Sequence, residues 1–255
     1  MDKTQQGYVK TTLENGLATI TFFHPAHNSL PSRLLAELSQ TILEYGARED
    51  VILILLQSGG DRTFCAGASF DELVAIDNEL NGKKFFMGFA NVINAIRSCG
   101  KIVIGRVQGK AVGGGVGLAS AVDYCIATRF ASVKLSELAV GIGPFVIGPA
   151  VQRKTSLSAF SQMALNATAW QTADWARQKG LYHEVFDTAE SMDDYISTFT
   201  STLLEMNPQA LSQLKEVFWQ GTEHWDDLLE RRAEMSGILV LSKFSKETIA
   251  GFLNK

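Results

Sequence analysis

The chain has 255 residues, 46% hydrophobic and 20% charged, with 22 glycines and only 5 prolines. That balance belongs to a globular protein with enough apolar material for a sizeable core, and it excludes collagen-like, disordered and low-complexity classes. Lys and Arg number 23 against 27 Asp and Glu, a net charge of −4, which argues against a nucleic-acid binder built on bulk positive charge and leaves room for a local basic pocket.

The N-terminal Met1–Gln6 is polar and lacks the apolar stretch of a secretory signal. The longest aliphatic run, Val51–Leu56, is far shorter than the roughly 20 residues of a membrane helix. Cys65, Cys99 and Cys125 show no Cys-x-x-Cys spacing and are too scattered for a disulfide framework. The expectation is a soluble cytoplasmic protein with buried thiols, no membrane contact and no nucleic-acid partner.

Taken in chain order, Leu17–Phe23 is β-branched and aromatic between Asn15-Gly16 and His24-Pro25, which predicts a strand after a tight turn. Leu30, Leu34, Leu35, Leu38, Ile42 and Leu43 recur at helical spacing over Pro31–Arg48. Val51–Gln57 is a continuous apolar run that suits a strand covered on both faces. Phe70–Ser98 reads as helix, broken near Asn81-Gly82. Ile102–Gln108 is a further strand, with short ones at Tyr124–Ala127 and Val133–Leu135. From about Ser191 the pattern is helical with no convincing strand. This predicts an α/β body over residues 1–190 and a helical piece over residues 191–255.

Several motifs are absent. Leu118 and Ser120 stand where a G-x-G-x-x-G would need glycine, and Gly105–Lys110 is one residue short of a P-loop. Gly67-Ala68-Ser69-Phe70-Asp71 lacks the closing glycine of a nucleophile elbow. His24 and His27 have no third or fourth metal ligand in evidence, so no metal site is expected.

What remains is a pair of turns rich in small residues, each after an apolar strand. One is Thr63–Ser69, with Ala66, Gly67 and Ala68; the other is Gly109–Gly117, with Gly113, Gly114 and Gly115, opening into the helix-like Val116–Ala121. Small residues let a ligand approach the backbone, and N–H groups at a helix start have no intrahelical acceptor. Two such turns facing each other would make an oxyanion hole; an isolated Gly-Gly-Gly is more readily read as close helix–strand packing.

Over nearly its whole length the chain resembles the crotonase superfamily, the enoyl-CoA hydratase/isomerase family. His24-Pro-Ala-His-Asn-Ser-Leu30 resembles R-P-x-x-x-N-A-L, Thr63–Ser69 resembles A-F-C-A-G-A-D, and Gln108–Gly115 resembles N-G-x-A-x-G-G-G. Asp123 matches the aspartate of C-D-I-x-I-A, Ser136-Glu137-Leu138 through Gly141 resembles P-E-x-x-x-G, and Gln152-Arg153 matches the later Q-R. Gly180-Leu181 resembles the G-L-V turn, Asn207–Lys215 resembles N-P-x-A-L-x-x-x-K, and the last eleven residues resemble the terminal K-E-G-x-x-A-F-x-E-K.

The resemblance implies a spiral of ββα turns with a C-terminal helical trimerisation region, assembled as a trimer or dimer of trimers. It implies an acyl-CoA thioester as substrate, with no cofactor besides that coenzyme A. The oxyanion donors map onto the backbone N–H groups of Ala68 and Gly114, within a substrate-binding set of Ala66, Gly67, Ser69, Gly113, Gly117 and Phe145. Arg33 and Arg62, with Lys255 from a neighbouring subunit, are candidates for the coenzyme's phosphates.

Two-carboxylate hydratases of this family carry a glutamate two residues after Gly-Gly-Gly and a second in P-E. Here the first position is Gly117, and Glu137 alone remains as acid–base, with Asp71 and Glu72 as weaker stand-ins at a helix start. Hydration asks for a base on water and a proton source for the α-carbon. Moving a double bond between positions 3 and 2 needs one group that takes a proton and returns it one carbon away. Isomerisation is therefore slightly favoured over hydration, including that of a branched substrate such as methylglutaconyl-CoA. Acyl-CoA decarboxylation and a non-catalytic acyl-CoA-binding subunit are the other readings. Leu138, Val140, Ile142, Phe145, Val146 and Ile147 would desolvate Glu137 and draw its pKa toward neutral. Ser69 replaces the aspartate of A-G-A-D, and the loop from Gly141 to Pro149 is two residues longer than the pattern and more apolar. Lys101, in place of a proline, has no functional reading.

Overall fold

The computed structural model describes residues 7–253. It begins with an antiparallel hairpin, β1 (Tyr8–Glu14) and β2 (Leu17–Phe23), turned at Asn15-Gly16. β3 (Ser29–Leu30) and α1 (Ser32–Gly46) lead to β4 (Leu53–Ser58), β5 (Thr63–Cys65), β6 (Gly67–Ala68), α2 (Phe70–Val74) and α3 (Glu79–Ser98). Next come β7 (Ile102–Val107), β8 (Lys110–Val112), α4 (Gly114–Ala121), β9 (Tyr124–Thr128), β10 (Val133–Lys134) and a 3-10 turn at Glu137–Val140. α5 (Gly148–Lys154), α6 (Leu157–Leu165), α7 (Ala173–Gln178) and β11 (Glu184–Phe186) follow. The chain then runs through α8 (Ala189–Leu204), α9 (Pro208–Phe218), α10 (Trp225–Leu239) and α11 (Lys243–Leu253).

Each pass gives a long strand to one sheet, a short strand to another, and a helix. The long strands form a six-stranded sheet in the order β1-β2-β4-β7-β9-β11, parallel except for the first pair. The short ones form a parallel β10-β8-β5 sheet, and β3 pairs with β6. Parallel neighbours require a crossover, and repeating it winds the chain into a ββα spiral. β4 is buried on both faces, as its unbroken apolar run predicts: Ile54 and Leu56 join one core with α1 and α3, while Leu53 and Leu55 join another with Met192 and Ile196 of α8.

Two expectations need correction. The helix expected over 70–98 does break, but at residues 75–78, where the Asn78 side chain accepts a hydrogen bond from Asn81 N–H and starts α3. Gly82 lies inside α3 because α10 crosses it there: a Cβ at Gly82 would sit 2.8 Å from Gly237 Cα. β1 escapes the sequence reading because its sequence YVKTTLE alternates only weakly and it forms a half-buried sheet edge.

The change of character near residue 190 is real in secondary structure, since all strands among the described residues precede it. Packing nevertheless crosses it: Trp219, Trp225, Leu229 and Ala233 belong to the main core. Asp123 fastens the two parts. Its Oδ2 accepts from Val103 N–H and Lys215 Nζ, both at 2.7 Å, and its Oδ1 accepts from Trp219 Nε1 at 2.7 Å. The Lys215 and Asp123 side chains are each 2% exposed, and Lys154 Nζ donates to the carbonyls of Val122 and Asp123. Removing one member of a buried pair strands the other, so Asp123→Ala should cost about 3–5 kcal/mol in urea unfolding. A loss below about 1 kcal/mol would mean that the clamp is not structural.

Candidate active site

The two small-residue turns do face each other. Parallel pairing of β5 with β8 and of β3 with β6 brings Gly67-Ala68 beside the start of α4: a Cβ built on Gly67 would lie 3.6 Å from Gly114 N. Gly113 sits at φ 52°, ψ −117°, a conformation that L side chains rarely adopt. At Gly114 a Cβ would overlap the Phe89 ring, so close packing fixes the turn. Close packing of the glycine cluster is thus present, and it leaves the oxyanion-hole reading open. The turn is tightly packed, and it opens a helix whose first N–H groups lack helical acceptors.

These turns line one wall of a cavity of about 390 Å³. Glu137, at the start of the 3-10 turn after β10, is on another wall; its Oε1 lies 2.9 Å from where a Gly113 Cβ would be. Among the described residues lining the cavity it is the only carboxylate. The residue keeps partial exposure, but Oε2 is sealed from solvent and has no hydrogen-bond partner. The surroundings are aromatic and aliphatic, with Phe70, Leu73, Phe85, Phe86, Val146 and Ile147 among them. Burial pushes the Glu137 pKa from 4.5 up to about 7, against a smaller downward pull from its own backbone N–H.

Of the residues singled out by sequence, Glu137, Ala68, Gly114, Ala66, Gly67, Gly113 and Phe145 come together in this cavity. The others do not line it. Gly117 is buried in α4, where a Cβ would overlap Ile147; the space a second glutamate would need is filled by that side chain. Ser69 is turned to a structural task, its Oγ capping α2 by accepting from Glu72 N–H. Glu72 Oε2 accepts from Ser32 N–H at 2.9 Å and Asp71 is exposed, so neither replaces the missing carboxylate. Arg33 pairs with Glu37 at 3.0 Å on the surface of α1, and Arg62 is exposed outside the cavity lining. Lys255 lies outside the described residues.

Several lining residues were missed, one of them charged. Lys134, the only cation among the described lining residues, is on β10 three positions before Glu137. Its ammonium and that of Lys110 lie 4.6 and 5.1 Å from the Trp170 ring centroid. Proximity to Glu137 in sequence was the available signal; nothing in the sequence showed that Trp170 would meet it. Among the described residues no group of three His, Cys, Asp or Glu side chains is placed to hold a metal, and no helix is long and apolar enough to cross a membrane.

A carboxyl whose pKa is higher folded than unfolded favours folding in its protonated form. Its contribution is complete below about 4.5 and is lost as pH rises through about 7. Glu137→Gln should therefore match the wild type near pH 4 and exceed it above pH 7 by about 3 kcal/mol in urea unfolding. Equal stability at both pH values would place the carboxylate in water.

Comparison with known proteins agrees with this geometry. The enoyl-CoA hydratase/isomerase family profile matches residues 12–255. A short-chain-enoyl-CoA hydratase of Clostridium acetobutylicum is 27% identical over 245 residues, covering 95% of this chain and 93% of that protein. A peroxisomal Delta(3,5)-Delta(2,4)-dienoyl-CoA isomerase of Arabidopsis thaliana is 25% identical, covering 84% and 81%. The crystal structure of an enoyl-CoA hydratase from Mycobacterium avium superposes with a TM-score of 0.85 at 25% identity, covering 100% of this chain and 97% of that one. The spiral is thus the crotonase fold, and the chain belongs to the enoyl-CoA hydratase/isomerase family of enzymes.

Proposed function

We propose that the protein is an enoyl-CoA isomerase that moves a double bond from position 3 to position 2 of an acyl-CoA thioester. The observation that carries this reading is Glu137, the lone carboxylate among the described lining residues, whose Oε2 is sealed and without a hydrogen-bond partner beside the two backbone turns, with Ile147 filling the space next to Gly117. The thioester oxygen accepts from the N–H groups of Ala68 and Gly114. Glu137 removes a proton from C2, and the electron pair of the broken C–H bond spreads onto the thioester oxygen as an enolate. That pair returns through the carbon chain: C2=C3 forms, C3=C4 breaks, and Glu137 delivers the proton to C4. No water is consumed and no electrons leave the system. A carboxyl that titrates near neutral suits a group that must both take and give a proton.

Lys134, with Lys110 across Trp170, supplies positive charge at the cavity for the coenzyme's phosphates, where Arg33 and Arg62 do not reach the lining. The apolar side chains of Ile238 and Phe244, exposed on a single chain, support association of copies as a trimer or dimer of trimers.

Hydration is the second reading, favoured by the name of the Clostridium relative. Incubating the protein with [2-²H]-3-hexenoyl-CoA in ¹⁸O-water separates the two by mass spectrometry. Isomerisation gives 2-hexenoyl-CoA without ¹⁸O and with part of the deuterium at C4, whereas unchanged 3-hexenoyl-CoA alongside ¹⁸O-labelled 3-hydroxyhexanoyl-CoA from a parallel incubation with 2-hexenoyl-CoA would overturn the proposal. Glu137→Gln should lower kcat by about 10²–10⁴-fold while hexanoyl-CoA still binds. Gly114→Pro removes one oxyanion donor and should cost about 10²–10³-fold in kcat. In the wild type kcat/KM should rise with pH through about 7, as the carboxylate form appears.

A further inference from the structure

The loop after Glu137 separates two chambers. Ile142, Gly143, Pro144 and Phe145 line the 390 Å³ cavity on one side and a largely apolar groove of about 850 Å³ on the other. The far wall of that groove includes Phe160, Trp225 and Leu239. The partition is therefore one loop thick.

Its shape is held at both ends. Gly141 adopts φ 81°, and its carbonyl accepts a 3.2 Å hydrogen bond from the buried Ser245 Oγ of α11. Phe145 N–H donates to Gly143 O at 2.7 Å, which folds the Phe145 ring back over Gly143, where a Cβ would overlap it. Ile142, Gly143 and Pro144 are buried, while Phe145 keeps partial exposure toward the chambers. The ring is the bulkiest part of the partition, and apolar space lies on both sides of it.

From this placement we propose that Phe145 is the stop against which the acyl chain ends, making the protein selective for short acyl thioesters. The groove behind it is space that a longer chain would occupy if the ring were removed. This rests on the acyl-thioester reading above and names the chain-length class for the same site. An apolar pocket discriminates by about 10–200-fold for one methylene, so the contrast between short and long chains is measurable.

The test is calorimetric binding of two unreactive saturated ligands, butanoyl-CoA and dodecanoyl-CoA, to the intact wild type, Phe145→Ala and Phe145→Leu. Thermal melting of each variant checks its folding, and the leucine variant keeps most of the apolar volume should the alanine variant fail to fold. The proposal expects the dodecanoyl-to-butanoyl affinity ratio to rise at least tenfold in Phe145→Ala, with a smaller rise in Phe145→Leu. A ratio within twofold of the wild type in folded variants that bind butanoyl-CoA would overturn it and put the chain's end elsewhere, such as against Leu73. Failure of the wild type to bind either thioester would overturn the acyl-CoA reading itself, and this inference with it.

Discussion

A carboxylate withdrawn from water with no cation paired to it is costly, and the site of this protein turns on one such group. Glu137 Oε2 has no partner, and burial brings the pKa to about 7. Among the described residues no ion pair offsets that burial, so the rest of the fold must bear it. The same burial makes the group useful, because a carboxyl that is half protonated near neutral pH exchanges a proton readily in both directions. Beside it lie the turns at Gly67-Ala68 and Gly113-Gly114, whose backbone N–H groups the proposed mechanism uses to hold negative charge on a thioester oxygen.

The scaffold keeps those walls in place by packing rather than by bonds to the site. Phe89 of α3 presses on Gly114, Ile147 presses on Gly117, and α10 lies against α3 at Gly82 and Gly237. The Asp123 clamp ties β7 and α9 through charges removed from solvent, and Arg153 stacks on Trp219 at 4.5 Å. Helices from the end of the chain thus complete the core that begins with β2. Ile147 fills the space that a side chain at Gly117 would need, and the one-base proton transfer proposed above rests on that packing.

Much of this was legible in the sequence wherever one physical signal dominates. Leu17–Phe23 is bounded by turn residues and forms β2 over those residues. The double-faced burial of β4 follows from its aliphatic run. The motifs for the two turns and for Glu137 lie far apart in the chain, and parallel strand pairing brings them into one cavity. What could not be read depends on partners distant in sequence. Gly82 looks like a helix break until Gly237 is seen against it, and Ser69 looks like a ligand contact until its hydroxyl is found capping α2. Charge alone pointed to Arg33 and Arg62, which lie outside the cavity lining, whereas Lys134 lines it beside Trp170, a neighbour remote in sequence.

The most direct test is to titrate the Glu137 carboxyl itself. Infrared difference spectra of wild type minus Glu137→Gln, recorded from about pH 4 to about pH 9, isolate the C=O band of that one protonated carboxyl. The account predicts that the band fades with a midpoint at about 7. A midpoint near 4.5, the ordinary value for glutamate, would show a solvated carboxylate and contradict the single-base account.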